Sequence, residues 1–195
     1  MPQVKKTAVR DRILKSAFQL VSSEGYQAAS MPKIAQGAEI TQGNIYRYYK
    51  SKFELFYDVV GYWLDDKMDA FEASCEDDLS PDVRLRRILV FMWIELPSAD
   101  NNFMINLVQA LSTKKETDQH SHDLLERSEA RIQQQLEKCR SPVTWFPLSV
   151  PDLSHIIFMC YDGFVLNAKL GNHRERTQQI IDAFLAATVR IDIDA

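Results

Sequence analysis

The chain has 195 residues, of which 46% are apolar and 26% are charged, so it can bury a sizeable core as one or two domains. Its longest apolar run, Ile88 to Ile94, is too short to span a bilayer, and its N-terminal residues lack the apolar segment of a secretory signal. The three cysteines are widely spaced and form no CxxC pair, which favours free thiols in a reducing compartment. We therefore expect a cytoplasmic protein with no membrane partner.

The formal net charge is only −4, but the charge is distributed unevenly along the chain. Residues 1–52 hold nine Lys and Arg against three Asp and Glu, whereas the remaining residues hold 14 against 24. This pattern predicts that only the basic N-terminal segment meets an anionic polymer such as DNA.

The first predicted helix runs from about Thr7 to Glu24. Gly25 follows it and is suited to the left-handed conformation that ends a helix. The apolar residues of this segment recur at helical spacing and form one buried face, made of Ile13, Leu14, Ala17, Phe18 and Val21.

Residues 30–52 predict two short helices joined by a tight turn. Ser30 is a suitable N-cap, and Pro32 lies in the first helical turn, where its missing N–H is not needed. The second helix carries Ile45 inward, and polar, aromatic and basic side chains surround it. This arrangement is typical of a helix-turn-helix that binds DNA.

Ser51 and Glu54 form a capping box, which predicts a long amphipathic helix over about 51–75. An acidic linker follows, and Pro97 to Asn102 is expected to break the next helix. No segment shows the alternation of a strand, so we predict an all-α fold of about nine helices. The later helices are predicted at about 82–96, 103–112, 123–140, 152–170 and 174–191. We expect a helix-turn-helix domain over 1–52, a connecting helix over 51–75, and a second helical domain over 76–195, whose role as a ligand-binding and dimerisation domain is argued below.

Several short motifs within residues 10–60 follow one another in an ordered pattern without gaps. They are Arg12-Ile-Leu-Lys-Ser-Ala17, Glu24-Gly-Tyr26, Ser30-Met31, Ile34-Ala35, Gly43-Asn-Ile-Tyr46 and Tyr48-Tyr-Lys-Ser-Lys52 with Leu55. Together they resemble the N-terminal domain of the TetR/AcrR family of bacterial transcriptional regulators. The rest of the chain resembles the family in its helical character and in Tyr161-Asp-Gly163.

The resemblance implies a homodimer that binds DNA, with the last two helices forming a four-helix interface. It also implies that a small molecule bound in the C-terminal domain releases the DNA, and on that ground we expect a repressor. Glu39 stands where the family usually has a glycine in the turn, and a left-handed conformation there would cost roughly 1 kcal/mol. Pro32 stands where some members place a base-reading arginine, so we expect no base contact from the first helix of the motif.

Base readout in the major groove requires side chains that donate and accept hydrogen bonds. Gln42 and Asn44 suit adenine, and Arg47 suits guanine or a phosphate. Gly43 allows close approach of the backbone, and Tyr46 can contact a thymine methyl or a phosphate. With the expected phosphate contacts included, the predicted DNA-binding residues are Ser30, Lys33, Gln42, Gly43, Asn44, Tyr46, Arg47, Tyr48 and Lys52.

The last two predicted helices have apolar faces broader than packing on one side requires. A bundle across a two-fold axis would bury the excess, although an ordinary monomer core would also fit. The predicted interface residues are Ile156, Cys160, Phe164, Ile181, Phe184 and Leu185.

Many large side chains in the C-terminal part suit a pocket for an unidentified small-molecule effector, although the same residues would also suit a core. Glu95 and Asp162 lie in apolar surroundings and could orient a cationic or hydroxylated ligand. The candidate pocket residues are Trp63, Phe91, Trp93, Glu95, Phe103, Met104, Phe158 and Asp162.

Two other classes of function fit the sequence less well. An enzyme would need a catalytic constellation, but His120 and His122 lack the HxxxH spacing of a helical metal site, and the chain has no glycine-rich phosphate loop. We therefore expect no catalytic residues, no metal and no cofactor. An architectural DNA-binding protein without an effector would need a more basic surface. The sequence favours a ligand-responsive homodimeric repressor that binds a near-palindromic operator.

Overall fold

The structure, a computed structural model, describes residues 2–75, 78–118, 123–139, 148–171 and 174–188. Every regular element in these ranges is helical. The elements are α1 (Pro2–Ala28), α2 (Met31–Gly37), α3 (Gln42–Ile45), α4 (Lys52–Ala73), α5 (Pro81–Val90), a π-helical turn (Phe91–Glu95), α6 (Leu96–Asn102), α7 (Ile105–Ser112), α8 (Asp123–Glu137), α9 (Val150–Leu170) and α10 (Arg174–Thr188). Because α5, the π turn and α6 are continuous, the described ranges contain nine helical stretches. The predicted all-α fold is confirmed.

The ends of α1 and α2 follow the predicted local rules. Gly25 has a φ of 83° and interrupts α1, as expected for a glycine that ends a helix. Ser30 is extended and caps α2, because its hydroxyl accepts a hydrogen bond from the Lys33 N–H at 3.5 Å. Ile13 and Ile34 are fully buried, so the apolar faces of both helices form part of one core.

The start of α4 uses a variant of the predicted capping box. The Glu54 N–H donates to Ser51 Oγ at 3.1 Å, as in the standard motif. The Glu54 carboxylate, however, accepts from the Lys50 N–H at 2.8 Å, one residue earlier than the motif requires. This return bond ties the end of the helix-turn-helix to the start of α4.

The segment from α5 to α6 departs from the predicted break at Pro97. The Leu96 N–H bonds to the Phe91 carbonyl five residues earlier, so the turn before Pro97 is π-helical. This wider turn accommodates a proline, and the right-handed helix continues until Ala99.

A left-handed turn follows at Asp100, Asn101 and Asn102, whose φ values are 47°, 59° and 60°. Asp and Asn tolerate this conformation best among residues other than glycine, which explains why the chain can reverse here.

The described residues pack as two units. The first comprises residues 1–64 and 103–121, and the second comprises residues 65–102 and 122–195. This grouping adds residues 103–121 to the N-terminal unit, which the predicted domain limits did not include.

The N-terminal unit has an aromatic core around Phe103, whose ring centroid lies 4.9 Å from Phe18 and 5.3 Å from Trp63. The Asn106 side chain crosses this unit, because its Oδ1 accepts from the Tyr26 N–H at 2.8 Å. Residues from α7 therefore hold the end of α1 in place.

The C-terminal unit is built around buried residues of α5, the π turn, α8 and α9. Phe71 and Phe91 stack at a centroid distance of 4.3 Å, and Ile132 and Ile157 have no exposed area. Within the described ranges, no helix is both long enough and apolar enough to cross a membrane.

Candidate functional site

α3 has four residues and is held by its cap and by the core behind it. Thr41 is the N-cap, and its hydroxyl accepts from the Asn44 N–H at 3.3 Å. Ile45 is fully buried and Tyr49 is 3% exposed, so both point into the N-terminal unit. An isolated helix this short would not be stable in water. Its orientation therefore depends on these anchors.

The opposite side of α3 and the turn after it are polar and open to solvent. Gln42, Gly43 and Arg47 are exposed, and Tyr46 is 47% exposed. Asn44 and Tyr48 are half-buried. The five side chains and Gly43 lie within seven consecutive positions, so the structure brings together the residues that the sequence predicts for base and backbone contacts.

The turn between α2 and α3 is left-handed at Glu39, so the chain takes the conformation whose cost the sequence analysis considered. Glu39 has a φ of 56°, and its carboxylate lies 3.6 Å from Arg12 Nη1. Gly37, two residues before Glu39, is a glycine for a different reason. A Cβ at position 37 would overlap Ser16 Oγ. The Ser16 hydroxyl donates to the Ile34 carbonyl at 2.9 Å, so α1 and α2 approach closely at this point.

Two predicted phosphate-binding lysines have partners inside the N-terminal unit. Lys33 Nζ lies 2.6 Å from Glu24 Oε2 at the exposed surface, a position from which the ammonium can exchange partners. Lys52 Nζ donates to the Tyr26 and Ala29 carbonyls at 2.9 and 3.1 Å and lies 4.1 Å from the Tyr26 ring centroid. Burial lowers the pKa of Lys52. In this structure Lys52 closes the end of α1, a role that the sequence motif did not indicate.

A cleft of about 310 Å³ lies in the C-terminal unit beside the π turn. Trp93 forms part of its wall, and the indole is fixed because Nε1 donates to the Ile157 carbonyl at 3.2 Å. The wall mixes aromatic, amide, hydroxyl and guanidinium groups, from Trp93, Ile94, Pro97, Ser98, Asn102, Phe164, Asn167, Ala168, Gly171, Arg174 and Thr177. This lining has the mixed character of small-molecule sites.

A smaller cleft of about 200 Å³ also involves this segment, and Phe91 and Glu95 contribute to it. Arg87 Nη1 lies 2.9 Å from Glu95 Oε2, and its guanidinium stands 5.3 Å from the Phe71 ring centroid. The Glu95 carboxylate thus has a partner within the protein, whereas the sequence suggested that it could orient a cationic ligand.

Four of the five other predicted pocket residues belong to packed regions. Trp63, Phe103 and Met104 are buried in the N-terminal unit, and Phe158 is buried in the C-terminal unit. Asp162 lies at the surface of α9, where partial burial raises the pKa of its carboxyl. Sequence analysis missed Asn102, Asn167, Arg174 and Thr177, because polar residues at such distant positions carry no local pattern.

The outward faces of α9 and α10 are apolar. Met159 is 51% exposed and Leu170 is 82% exposed on α9, and Ile156, Leu166 and Ile180 are also exposed. Cys160, Phe164, Phe184 and Leu185 are half-buried. The prediction for Ile181 requires a correction: it has no exposed area, because its position on α10 turns it into the core while Ile180 faces outward.

His120 and His122, which the sequence analysis considered for a metal site, lie outside the described residues. In the part of the chain that the structure describes, no group of three or more His, Cys, Asp or Glu side chains is arranged to hold a metal ion.

Comparisons with known proteins agree with this geometry. Residues 13–59 match the family described as bacterial regulatory proteins, tetR family. The chain is 32% identical over 100 residues to the HTH-type transcriptional repressor NicS of Pseudomonas putida, covering 47% of each protein. It is 36% identical over 52 residues to the HTH-type transcriptional repressor KstR of Mycolicibacterium smegmatis, covering 27% of this chain and 26% of that protein. The matched part thus spans about half or less of these curated relatives.

Solved structures extend the likeness of fold to nearly the whole chain. A TetR transcription regulator from Haloarcula marismortui matches with a TM-score of 0.71 and 15% identity, covering 94% of this chain and all of that one. The family match covers the helix-turn-helix, and the shared fold continues through the C-terminal helices. Residues 13–59 are therefore similar to the tetR family of bacterial regulatory proteins, and the chain shares its fold with a solved TetR regulator.

Proposed function

We propose that this protein is a ligand-responsive transcriptional regulator of the cytoplasm, most simply a repressor, which binds a near-palindromic operator as a homodimer. The observation that carries the proposal is the exposed polar surface from Gln42 to Tyr48, held on a buried framework by Ile45 and Tyr49. The names of the relatives NicS and KstR, both transcriptional repressors, favour this function over an enzymatic one.

Base readout falls to the side chains at the exposed side of α3. Gln42 can bond to adenine N6 and N7 in the major groove, and Arg47 can reach guanine O6 and N7. Asn44 is half-buried, so its amide is the most restrained of the three. Gly43 has nothing within 4 Å of a Cβ position, which leaves open space where DNA can approach the backbone.

Phosphate contacts would flank this surface and set its register on the duplex. Lys33 can exchange Glu24 for a phosphate, because both side chains are at least two-fifths exposed. Ser30, Tyr46 and Tyr48 supply hydroxyl groups for further phosphate contacts. Lys52 contributes indirectly, because its ammonium is bound to the carbonyls at the end of α1.

Dimerisation would bury the apolar faces of α9 and α10. Their exposed Ile, Met and Leu side chains are more than a surface helix needs, and a four-helix bundle formed with a second copy would cover them. A two-fold axis would then place the two recognition helices roughly 34–36 Å apart, in successive major grooves.

Effector binding is assigned to the C-terminal unit, where the π turn contributes to both clefts and Asn102 of the left-handed turn contributes to the larger one. Backbone in such conformations often marks a functional segment, because the surrounding structure must offset its cost. A small molecule that binds one of these clefts in only one conformation would shift the protein away from its DNA-bound state.

The direct test is selection of random duplex DNA by the purified protein at near-physiological salt, followed by sequencing. The proposal predicts an enriched inverted repeat with a fixed half-site spacing. Retention that depends on salt but enriches no sequence would overturn base readout and support an architectural DNA-binding protein instead. The enriched site then serves for screening small molecules that release the protein.

A further inference from the structure

Four side chains from three segments of the N-terminal unit form one hydrogen-bonded cluster. Arg10 of α1 donates through Nη2 to Asp58 Oδ2 of α4 at 2.6 Å, and through Nε to the Tyr49 hydroxyl at 3.2 Å. The Tyr49 hydroxyl in turn donates to the same Asp58 oxygen at 2.9 Å, which closes a triangle. Arg10 Nη1 also donates to the Tyr62 hydroxyl at 2.6 Å. We call Arg10, Tyr49 and Asp58 the triangle.

Through Tyr49 the triangle adjoins the exposed surface from Gln42 to Tyr48, which we call the recognition surface. Ile45 and Tyr49 are the buried residues on either side of Tyr46, Arg47 and Tyr48. Ile45 is held by apolar packing, which is not directional. The Tyr49 hydroxyl instead has two directional bonds, one to α1 and one to α4. Hydrogen bonds at Tyr49 therefore fix the C-terminal end of the segment 46–48 and restrict the direction in which this segment leaves the core.

The chemistry of the triangle keeps these bonds in place across the working pH range. Burial and the neighbouring Asp58 carboxylate raise the pKa of Tyr49, so its hydroxyl stays protonated and continues to donate. Burial alone would lower the pKa of Arg10, but its hydrogen bonds to Asp58 and Tyr49 raise it. Arg10 therefore stays charged, so the Tyr49 hydroxyl keeps Arg10 as its donor and Asp58 as its acceptor.

The same geometry gives the triangle little weight in overall stability. The Arg10 and Asp58 side chains are 40% and 38% exposed, and ion pairs at such positions are screened by water. A phenylalanine at position 49 would fill the same core volume as Tyr49. What it would lack is the directional link to α1 and α4.

We infer that Arg10, Tyr49 and Asp58 are positioning residues for DNA recognition, which set the orientation of Gln42 to Tyr48 through the Tyr49 hydroxyl. The inference rests on the proposed function, because it concerns how the same surface is held. It assigns sequence selectivity to a group that lies inside the protein, behind the side chains that face the DNA.

The test compares Tyr49→Phe with Tyr57→Phe, which removes a hydroxyl from α4 outside the triangle. Both variants and the wild type are titrated with the enriched operator and with random duplex DNA, and their melting temperatures are measured. Tyr49→Phe should bind the operator roughly tenfold more weakly, because the side chains that read bases lose the orientation on which their hydrogen bonds to base edges depend. Its affinity for random DNA should not change, and its melting temperature should stay within a few degrees of the wild type. Tyr57→Phe should bind both DNAs like the wild type.

A second comparison separates positioning from general weakening. If the triangle acts as a unit, Asp58→Asn combined with Tyr49→Phe should cost less operator affinity than the product of the two single losses. Equal operator affinity for Tyr49→Phe and the wild type would overturn the inference, as would equal losses on operator and random DNA. Failure of the wild type to select any operator would instead overturn the proposed function, so the two failures are distinct.

Discussion

The two units of this protein place their functional groups in different ways. In the N-terminal unit, the residues that we propose to face DNA lie within positions 42–48, and one cap and two buried anchors hold this segment. In the C-terminal unit, each cleft draws its walls from segments far apart in the chain, such as Trp93 with Thr177. DNA presents the same major groove to every protein that reads it, so one short helix is enough to carry the side chains that contact the bases. A small molecule must be enclosed, and enclosure needs residues from several helices.

The largest expected effect concerns the outward face of the C-terminal unit. Met159→Asp places a charge on the exposed apolar face of α9, whereas Leu125→Asp places the same charge on a leucine of α8 that is 45% exposed. If α9 dimerises, Met159→Asp should become monomeric and lose at least roughly 100-fold in operator affinity, because two linked half-site contacts become one. Sedimentation equilibrium and operator titration measure both effects. A Met159→Asp dimer as stable as the Leu125→Asp dimer would contradict the assignment.

The next effect concerns the recognition surface of the N-terminal unit. Arg47→Ala should cost ~1–3 kcal/mol of binding free energy on the operator and less on random DNA, provided that Arg47 reads a base. Lys50→Ala removes a neighbouring exposed cation and should lower the affinity for both DNAs by the same small factor. Titrations with both DNAs give the difference. Equal losses on the two DNAs would assign Arg47 to a phosphate.

A smaller effect separates the two roles suggested for Lys52. Lys52→Met keeps most of the stem that packs on Tyr26 but removes the donor to the Tyr26 and Ala29 carbonyls. We expect a loss of ~1 kcal/mol in the free energy of unfolding, because those carbonyls lose a charged partner. Lys50→Met, on an exposed lysine, should leave urea denaturation unchanged. Weaker DNA binding by Lys52→Met without a loss of stability would show that Lys52 contacts phosphate instead.

The alkaline limb of the stability profile tests the environment of Tyr49. The pKa of Tyr49 is raised in the folded protein above the ordinary value of 10.0. The protonated hydroxyl therefore contributes its full share to the free energy of unfolding below about pH 10, and this contribution is lost as the pH rises further. Above that pH the unfolded chain releases the proton while the folded protein retains it. The free energy of unfolding of the wild type should then fall faster than that of Tyr49→Phe, by up to ~1.4 kcal/mol per pH unit. Parallel profiles from urea titrations would contradict the burial of this hydroxyl.

The smallest expected effect is a gain in stability at the turn before α3. Glu39→Gly should raise the free energy of unfolding by ~0.5–1 kcal/mol, because Glu39 has a φ of 56° and glycine adopts that conformation without strain. Gln36→Gly, within α2, should lower it by about the same amount. Thermal melts of both variants provide the check. A loss of stability in both would mean that the Arg12 contact outweighs the strain at Glu39.

The sequence predicted most of the N-terminal unit because its signals are local. Gly25, Ser30 and Glu39 each stand where a cap or a turn requires a particular backbone conformation, and all three adopt it. The contacts of Arg10 with Asp58 and of Lys52 with Ala29 could not be predicted, because their partners lie 23 to 48 residues away.

For the C-terminal unit the sequence predicted the helices, but it did not predict which side chains face solvent, the core or a cleft. The pattern of large apolar residues located α9 and α10, yet it could not distinguish Ile180, which faces outward, from the buried Ile181. Because of the π turn at Phe91–Glu95, the right-handed helix ends at Ala99 and not at Pro97 as predicted. No residue type in the sequence indicates such a turn. Pocket residues therefore required the three-dimensional structure.

The central claim is that the exposed side of α3 reads base pairs, and selection of random duplex DNA by Gln42→Ala tests it most directly. The selected sites are compared with those of the wild type. We predict that the inverted repeat and its spacing are retained, while the preference at one base pair in each half-site is lost. Identical base preferences with uniformly weaker retention would contradict the claim, because Gln42 would then only strengthen contact with the DNA backbone.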